Sequence, residues 1–319
     1  MLLFHPGPEP LASVTVTGAT GAGHTGPEQA GTERPRGGSA DTRAPKDTER
    51  IGGRRPDLSC LVATTPWSGS RLLCRALWAT GLAGHPREYF DPLQVVPRSV
   101  EWRLLGPGRD HLPRQPESEF ADRYLNAVAR AGTGRNGVFS VSLPWSHQRW
   151  LARFARAASP DVAGTPTRSD AELLEQWYPQ TRYLYMTSTE VARQAGRWYL
   201  GQRTGPVATG ERPGPGQPLD FAEVRWIEAL ISRQEHAWEI YFQVNGIDPH
   251  RIEYEDFLAH PEETVSGILE WLGVPGTPER AWPGEAHRER LAKPVAWLSD
   301  YSAARDQLST TIGVRQGRG

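Results

Sequence analysis

The sequence predicts an α/β fold with a central, mostly parallel sheet flanked by helices. Short apolar runs typical of buried strands recur along the chain, and amphipathic stretches with the helical period separate them. Strands that alternate with helices are joined by crossover connections, which place them parallel in a sheet covered on both faces. The length of 319 residues is sufficient for a large core.

The first predicted unit is a strand, a tight turn and a helix. Residues 58–63, LSCLVA, form an apolar run, and the small, hydroxyl-rich sequence TTPWSGS follows it. In the stretch 71–80 one helical face carries Leu72, Leu73, Ala76, Leu77 and Thr80. Gly81 marks the end of this helix. We therefore predict a loop that connects the end of a buried strand directly to a helix.

The later elements continue the alternation. The predicted strands span 137–143, 181–187 and 250–257, and the predicted helices span 145–157, 171–179, 190–202, 220–246 and 261–274. The helix at 220–246 is long enough for about seven turns and ends at Gly246. The last helix has Pro261 at a first helical position and Gly273 as its stop.

Composition excludes several classes of function. Thirty-six basic and 37 acidic residues give a formal net charge of −1, so no overall field attracts nucleic acid or an anionic membrane. No apolar run reaches the roughly 20 residues that a membrane span needs, and the opening MLLFHPGPEP lacks the basic end of a secretion signal. We therefore expect a cytoplasmic protein that has neither nucleic acid nor a membrane as a partner.

The chain divides into two regions by composition. Residues 1–55 are dense in Gly, Pro, Thr and Ala and show neither the helical nor the strand period. We predict a disordered, low-complexity tail there and one folded domain over 56–319. The two cysteines, Cys60 and Cys74, lie on segments predicted as core, so we expect neither a disulfide framework nor a thiolate metal site.

The strongest candidate for a binding site is the segment 65–71, TPWSGSR. A small loop between a strand and a helix points backbone N–H groups and the positive end of the helix dipole at one place, which suits phosphate or sulfate. The alternative is that Ser68 or Ser70 merely caps the helix. The loop of a nucleotide triphosphatase requires a lysine, and this segment has none. Since Lys46 and Lys293 are the only lysines in the chain, a bound anion would be held mainly by arginine, amides and hydroxyls.

The blocks PWSGSRLLCRALWATGLAGHPREYF, GVFSVSLPW and YPQTRYLYMTSTEVARQA, with the later AWEIYFQVNGIDPHRIEYEDF, resemble the sulfotransferases, in particular their trehalose sulfotransferase-like branch. The resemblance runs from about Leu58 to Val274. It implies a P-loop-like sulfotransferase fold for the domain at 56–319. It also implies transfer of a sulfuryl group from 3′-phosphoadenosine 5′-phosphosulfate to a hydroxyl of a carbohydrate or small metabolite, without a metal, and it allows a homodimer.

The resemblance also implies roles for individual residues. The loop residues that match those around the 5′-phosphosulfate are Ser68, Gly69, Ser70 and Arg71, those that match the grip on the 3′-phosphate are Ser188, Thr189 and Arg197, and the match to the base is Glu88. Sulfuryl transfer resembles phosphoryl transfer, so a carboxylate near the acceptor hydroxyl would act as general base. The alternatives are that Glu88 is a surface carboxylate paired with Arg87, or that His85 is the base.

The chain departs from the family pattern at several of these positions. Trp67 stands where the family has Arg or Lys, and Arg71 stands where it has Thr. The sequence Ser188-Thr189-Glu190 replaces RRD, and Ser142 replaces a lysine. Three readings remain open: donor binding compensated by Arg71, Arg193 and Arg197, a different donor, or a catalytically silent binding or scaffold protein on the same fold.

Overall fold

The computed structural model of the chain describes residues 55–105, 116–160, 167–204, 220–276 and 301. The predicted tail at 1–55 therefore lies outside the described residues, except for Arg55. Within the described ranges the strands are β1 (Leu58–Thr64), β2 (Val138–Pro144), β3 (Thr181–Thr187) and β4 (His250–Glu253). They form one sheet in the order β2-β1-β3-β4, and every pairing is parallel. The predicted fold class is confirmed.

Helices connect the strands and cover the sheet. In the described ranges they are α1 (Ser70–Ala79), α2 (Pro92–Glu101), α3 (Ser118–Gly132), α4 (Trp145–Ala158), α5 (Asp170–Leu174), α6 (Val191–Thr204), α7 (Phe221–Val244), α8 (Tyr254–Ala259) and α9 (Pro261–Trp271). None of them is both long and apolar enough to span a membrane.

Several elements differ from the sequence prediction. The predicted strand at 250–257 is wrong in its second half, because β4 ends at Glu253 and α8 follows at once. Tyr254 and Phe257 are both buried, and their spacing of three residues places them on one helix face, whereas residues three apart in a strand point to opposite faces. The predicted helix at 171–179 is confined to α5, and the sequence analysis did not predict α2 and α3.

The core lies on both faces of the sheet. Along β1, Leu61 and Ala63 face one cluster of apolar side chains, whereas Cys60 and Val62 face the other, as the two-residue period of a strand requires. Burial on both faces explains why the strands read as continuous apolar runs. Burial raises the pKa of both cysteine thiols to about 12, so neither is a thiolate at neutral pH.

The register brings the carboxyl ends of the strands to one edge of the sheet. Thr64 of β1 pairs with Pro144 of β2 and with Met186 of β3. Thr187, the next residue of β3, pairs with Glu253, the last residue of β4. The segments that follow the four strands therefore meet at this edge, which is where open α/β sheets place their ligands.

Candidate functional site

The loop at 65–69 connects β1 to α1 and has the backbone shape of an anion cradle. Trp67 and Gly69 both have positive φ, at 63° and 91°. Within the part of the chain that the structure describes, the N–H groups of Gly69, Ser70 and Arg71 donate to no acceptor. These groups lie at the positive end of the α1 dipole, so an anion with several oxygens could accept from them.

The serines of this loop do not cap α1. The N-cap residue is Gly69, and no side chain accepts a hydrogen bond there, so the capping alternative is wrong. The Ser68 hydroxyl is buried and shares a hydrogen bond with the Thr64 hydroxyl instead. Gly69 is required for two reasons, because its φ is left-handed and because a Cβ at this position would overlap the ring of Tyr254.

Helix α6 braces the loop from one side. The Gln194 side-chain amide donates to the Thr65 hydroxyl at 2.8 Å and to the Pro66 carbonyl at 2.7 Å. The indole of Trp67 packs so closely on Gly201 that a Cβ there would overlap it. Trp67, which stands where the family has Arg or Lys, thus packs α6 against the loop. Sequence reasoning missed Gln194, since no local pattern links residues so far apart.

The segment that carries Glu88 is anchored to the free edge of β2. Arg87 forms a parallel bridge with Val141, and the Ser142 amide donates to the Arg87 carbonyl at 3.0 Å. The other candidate base, His85, has Nδ1 at 3.1 Å from the Ala131 carbonyl, so its ring lies against the end of α3. This contact holds the His85 ring in place, and the assignment of Glu88 as the base stays a prediction.

Glu88 faces the first turn of α1. Its Oε1 lies 3.6 Å from Nε of Arg71, and the two side chains are 24% and 73% exposed. The Arg87 guanidinium, the alternative partner of this carboxylate, stacks on Trp78 at 5.3 Å. The structure therefore brings together two residues that the sequence places 17 positions apart, one from each half of the predicted site.

Two further side chains lie beside Glu88 that sequence reasoning missed. A ring nitrogen of His147 and carboxylate oxygens of Glu88 and Asp91 all lie within 4.8 Å of one another. His147 is in the first turn of α4, and Asp91 caps α2 by accepting from the Leu93 amide at 3.0 Å. Burial lowers the pKa of His147, and the charges of Glu88 and Asp91 oppose that shift without reversing it.

The residues predicted to grip a 3′-phosphate follow β3 and are partly engaged. The Ser188 hydroxyl donates to Glu255 Oε1 at 2.6 Å, and the Thr189 amide donates to Oε2 at 3.0 Å. Partial burial acts to raise the pKa of Glu255, but the hydrogen bonds from Ser188 and Thr189 outweigh it and lower the pKa below its ordinary value. Glu255 is therefore ionised at neutral pH and already satisfies both donors.

Arg197 is linked to the loop at 65–69 through the ring of Tyr254. Its guanidinium stacks on the ring of Tyr254 at 4.9 Å, and that same ring contacts Gly69. Arg193, one turn earlier on α6, donates to Glu190 at 2.6 Å. Tyr254 thus lies between the Arg197 guanidinium of α6 and Gly69 of the loop. The sequence analysis had placed Tyr254 in a strand.

Comparison with known proteins identifies the family. The model of the Stf0 sulphotransferase family matches residues 59–303, a range that includes the loop at 65–69 and Glu88. The chain belongs to the Stf0 sulphotransferase family. It is a sulfotransferase, as the resemblance in its sequence predicted.

The chain is similar to two proteins named trehalose 2-sulfotransferase. It is 27% identical over 263 residues to trehalose 2-sulfotransferase of Mycobacterium tuberculosis, covering 78% of this chain and 96% of the relative. It is 26% identical over 267 residues to trehalose 2-sulfotransferase of Mycolicibacterium smegmatis, with the same coverage. These identities describe a divergent member of the trehalose sulfotransferase-like branch.

Solved structures of sulfotransferases are also similar to this Stf0 member. One is a sulfotransferase from Alicyclobacillus acidocaldarius, at 15% identity and a TM-score of 0.38, covering 80% of this chain and 96% of that one. Another is the sulfotransferase domain from the curacin biosynthetic pathway, at 16% identity and a TM-score of 0.35, covering 75% and 83%.

Proposed function

We propose that this sulfotransferase moves a sulfuryl group from 3′-phosphoadenosine 5′-phosphosulfate to a hydroxyl of a carbohydrate. The observation that carries the proposal is the 3.6 Å approach of Arg71 to Glu88. It joins a cradle of free backbone amides to a carboxylate, so a donor sulfuryl group and an acceptor hydroxyl could meet between them. The names of the two trehalose 2-sulfotransferases support a carbohydrate as the acceptor.

The donor half of the site relies on amides and arginines. The N–H groups of Gly69, Ser70 and Arg71 would hold the 5′-phosphosulfate at the start of α1. The Arg71 side chain is 73% exposed, so it can turn from Glu88 toward this group. Arg197 would supply charge for the 3′-phosphate. We thus favour compensation by arginine over a different donor.

The acceptor half relies on Glu88. In an in-line displacement, the acceptor oxygen forms its bond to sulfur while the bond between sulfur and the bridging oxygen of the donor breaks. Glu88 would take the hydroxyl proton, and the amides of the loop would stabilise the charge that develops on the bridging oxygen. All of these steps use groups at the carboxyl edge of the sheet.

Donor binding tests the proposal. We expect 3′-phosphoadenosine 5′-phosphosulfate and its desulfated product to raise the melting temperature, because each binds the folded state. ATP with magnesium is the control ligand and should have little effect. Transfer of a labelled sulfuryl group is then measured on trehalose, other sugars and small hydroxyl compounds. A protein that responds to neither donor nor product, or that responds only to ATP, contradicts the proposal.

A further inference from the structure

His147 is a buried imidazole that the proposed reaction leaves without a role. The residue is only 9% exposed, and its Nε2 lies 4.0 Å from Oδ1 of Asp91. Its Nδ1 is buried and has no hydrogen-bond partner among the described residues. Because no partner fixes the tautomer, either ring nitrogen can accept a proton.

We propose that the proton leaving the acceptor hydroxyl passes through Glu88 to the imidazole of His147. This inference rests on the proposed function. As the acceptor oxygen bonds to sulfur, the electron pair of the broken bond stays on the phosphate of the desulfated product. The hydroxyl proton moves to a carboxylate oxygen of Glu88 and then to a ring nitrogen of His147. The imidazolium returns to neutral by releasing the proton to water after the sulfate ester leaves.

The spacing of the two groups suits a relay through one water molecule. A separation of up to 4.8 Å is too long for a direct hydrogen bond. A single oxygen at about 2.8 Å from each end spans such a gap, and proton transfer by way of one water is an ordinary arrangement for general bases. Glu88 thus stays in reach of both the acceptor and His147.

The chemistry of the cluster favours the imidazole as the final proton acceptor. A free imidazole binds a proton more tightly than a free carboxylate by about two pK units. Burial lowers the pKa of His147, which keeps the ring neutral and able to accept at neutral pH. Once it is protonated, the adjacent carboxylates of Glu88 and Asp91 stabilise the positive charge.

The same groups set the pH dependence. The charged side chains that act on His147 are Glu88, from the segment before α2, and Asp91, at the start of α2, while Arg71 of α1 faces Glu88. The Cys74 thiol of α1 remains neutral because burial raises its pKa to about 12. As pH falls through the pKa of His147, the ring becomes charged and can no longer accept. Turnover should therefore fall on the acid side.

The experiment compares pH profiles of turnover. Labelled sulfuryl transfer to trehalose, the probe acceptor, is measured from about pH 5 to about pH 9 in the parent, in His147→Gln and in His147→Asn. His236→Gln, at an exposed position of α7, is the matched control. We expect either change at His147 to lower kcat by about 10- to 100-fold and to remove the fall on the acid side. Affinity for the desulfated product and the melting temperature should stay at the parent values.

A second readout does not depend on the acceptor. Titration of the His147 imidazole by NMR should give a lower pKa in Glu88→Gln than in the parent, because the variant removes a charge that stabilises the imidazolium. An unchanged pKa overturns the proposal. So does a His147→Gln profile that keeps the acid-side fall, or a parent that loses turnover to a chelator and regains it with a divalent ion.

Failure of the proposed function looks different. In that case the parent binds neither the donor nor its desulfated product, or transfers no sulfuryl group to any acceptor. Either result overturns the proposed function and, with it, the proton relay. A parent that binds and transfers, with His147→Gln equal to it at every pH, overturns the relay alone.

Discussion

The carboxylate of Glu255 accepts a hydrogen bond from the Ser188 hydroxyl across 2.6 Å. In the proposed function, this serine would contact the 3′-phosphate of the donor, as the family resemblance implies. A carboxylate and a phosphate that share one donor group repel each other, so Glu255 should weaken the binding of a 3′-phosphate. The hydrogen bonds that lower the pKa of Glu255 also keep it charged at neutral pH.

Glu255→Gln should therefore strengthen binding of the desulfated product, adenosine 3′,5′-bisphosphate, by about five-fold. This factor corresponds to about 1 kcal/mol for like charges a few ångströms apart in a solvated site. Affinity is measured by calorimetry at low and at high salt, because screening should reduce the gain. AMP lacks the 3′-phosphate and should bind both proteins equally, and Glu253→Gln, at an exposed position, is the control variant. Weaker binding of the bisphosphate by Glu255→Gln would show that the carboxylate shapes the site instead.

Arg71→Ala should weaken binding of the desulfated product by about ten-fold or more. A cation in the first turn of a helix is disfavoured by the dipole unless an anion compensates it, and a hydrogen bond to a charged group contributes about 1.5–3 kcal/mol. Arg75, one turn later on α1, is also exposed, so Arg75→Ala is the matched control. Equal affinities of the two variants for this ligand would make Arg71 an ordinary surface charge.

Glu88→Gln should lower kcat by about 10²–10⁴ while leaving donor affinity nearly unchanged, because a general base contributes a factor of this size and glutamine keeps the shape of the side chain. Turnover is followed with labelled donor and the acceptor found in the panel. Glu119→Gln, an exposed substitution on α3, controls for the loss of one charge. A Glu88→Gln protein that is as active as the parent removes this residue from the mechanism.

Gly201→Ala should destabilise the protein by about 1–3 kcal/mol, since the added methyl group overlaps the Trp67 indole in a packed contact. In the Trp67→Ala background the same change should be neutral or stabilising by up to about 1 kcal/mol, because alanine favours a helix over glycine. The free energy of unfolding in denaturant is measured for the parent, the two single variants and the double variant, which together form a double-mutant cycle. Gly267→Ala on α9 has open space around the new Cβ and is the control. Additive effects in the cycle would show that Trp67 does not dock α6.

Local pattern was sufficient to predict three of the four described strands. The predicted span of β3 agrees with the structure at both ends, and β1 and β2 agree to within one residue, because continuous burial on both faces leaves an unmistakable apolar run. Helix α8 was missed because Tyr254 follows Ile252 at the two-residue spacing of a strand. In the structure, Tyr254 is the first residue of α8, and its buried ring contacts Gly69.

The sequence by itself determined the fold class, the family resemblance and the position of the loop that precedes α1. These follow from local periodicity and from motifs whose residues are adjacent in the chain. Only the tertiary structure decided which side chains meet: Arg71 with Glu88, Trp67 with Gly201, Glu255 with Ser188, and His147 with Asp91. The physical reason is that a parallel sheet brings the ends of all its strands to one edge, so partners in the site come from distant segments that no local pattern connects.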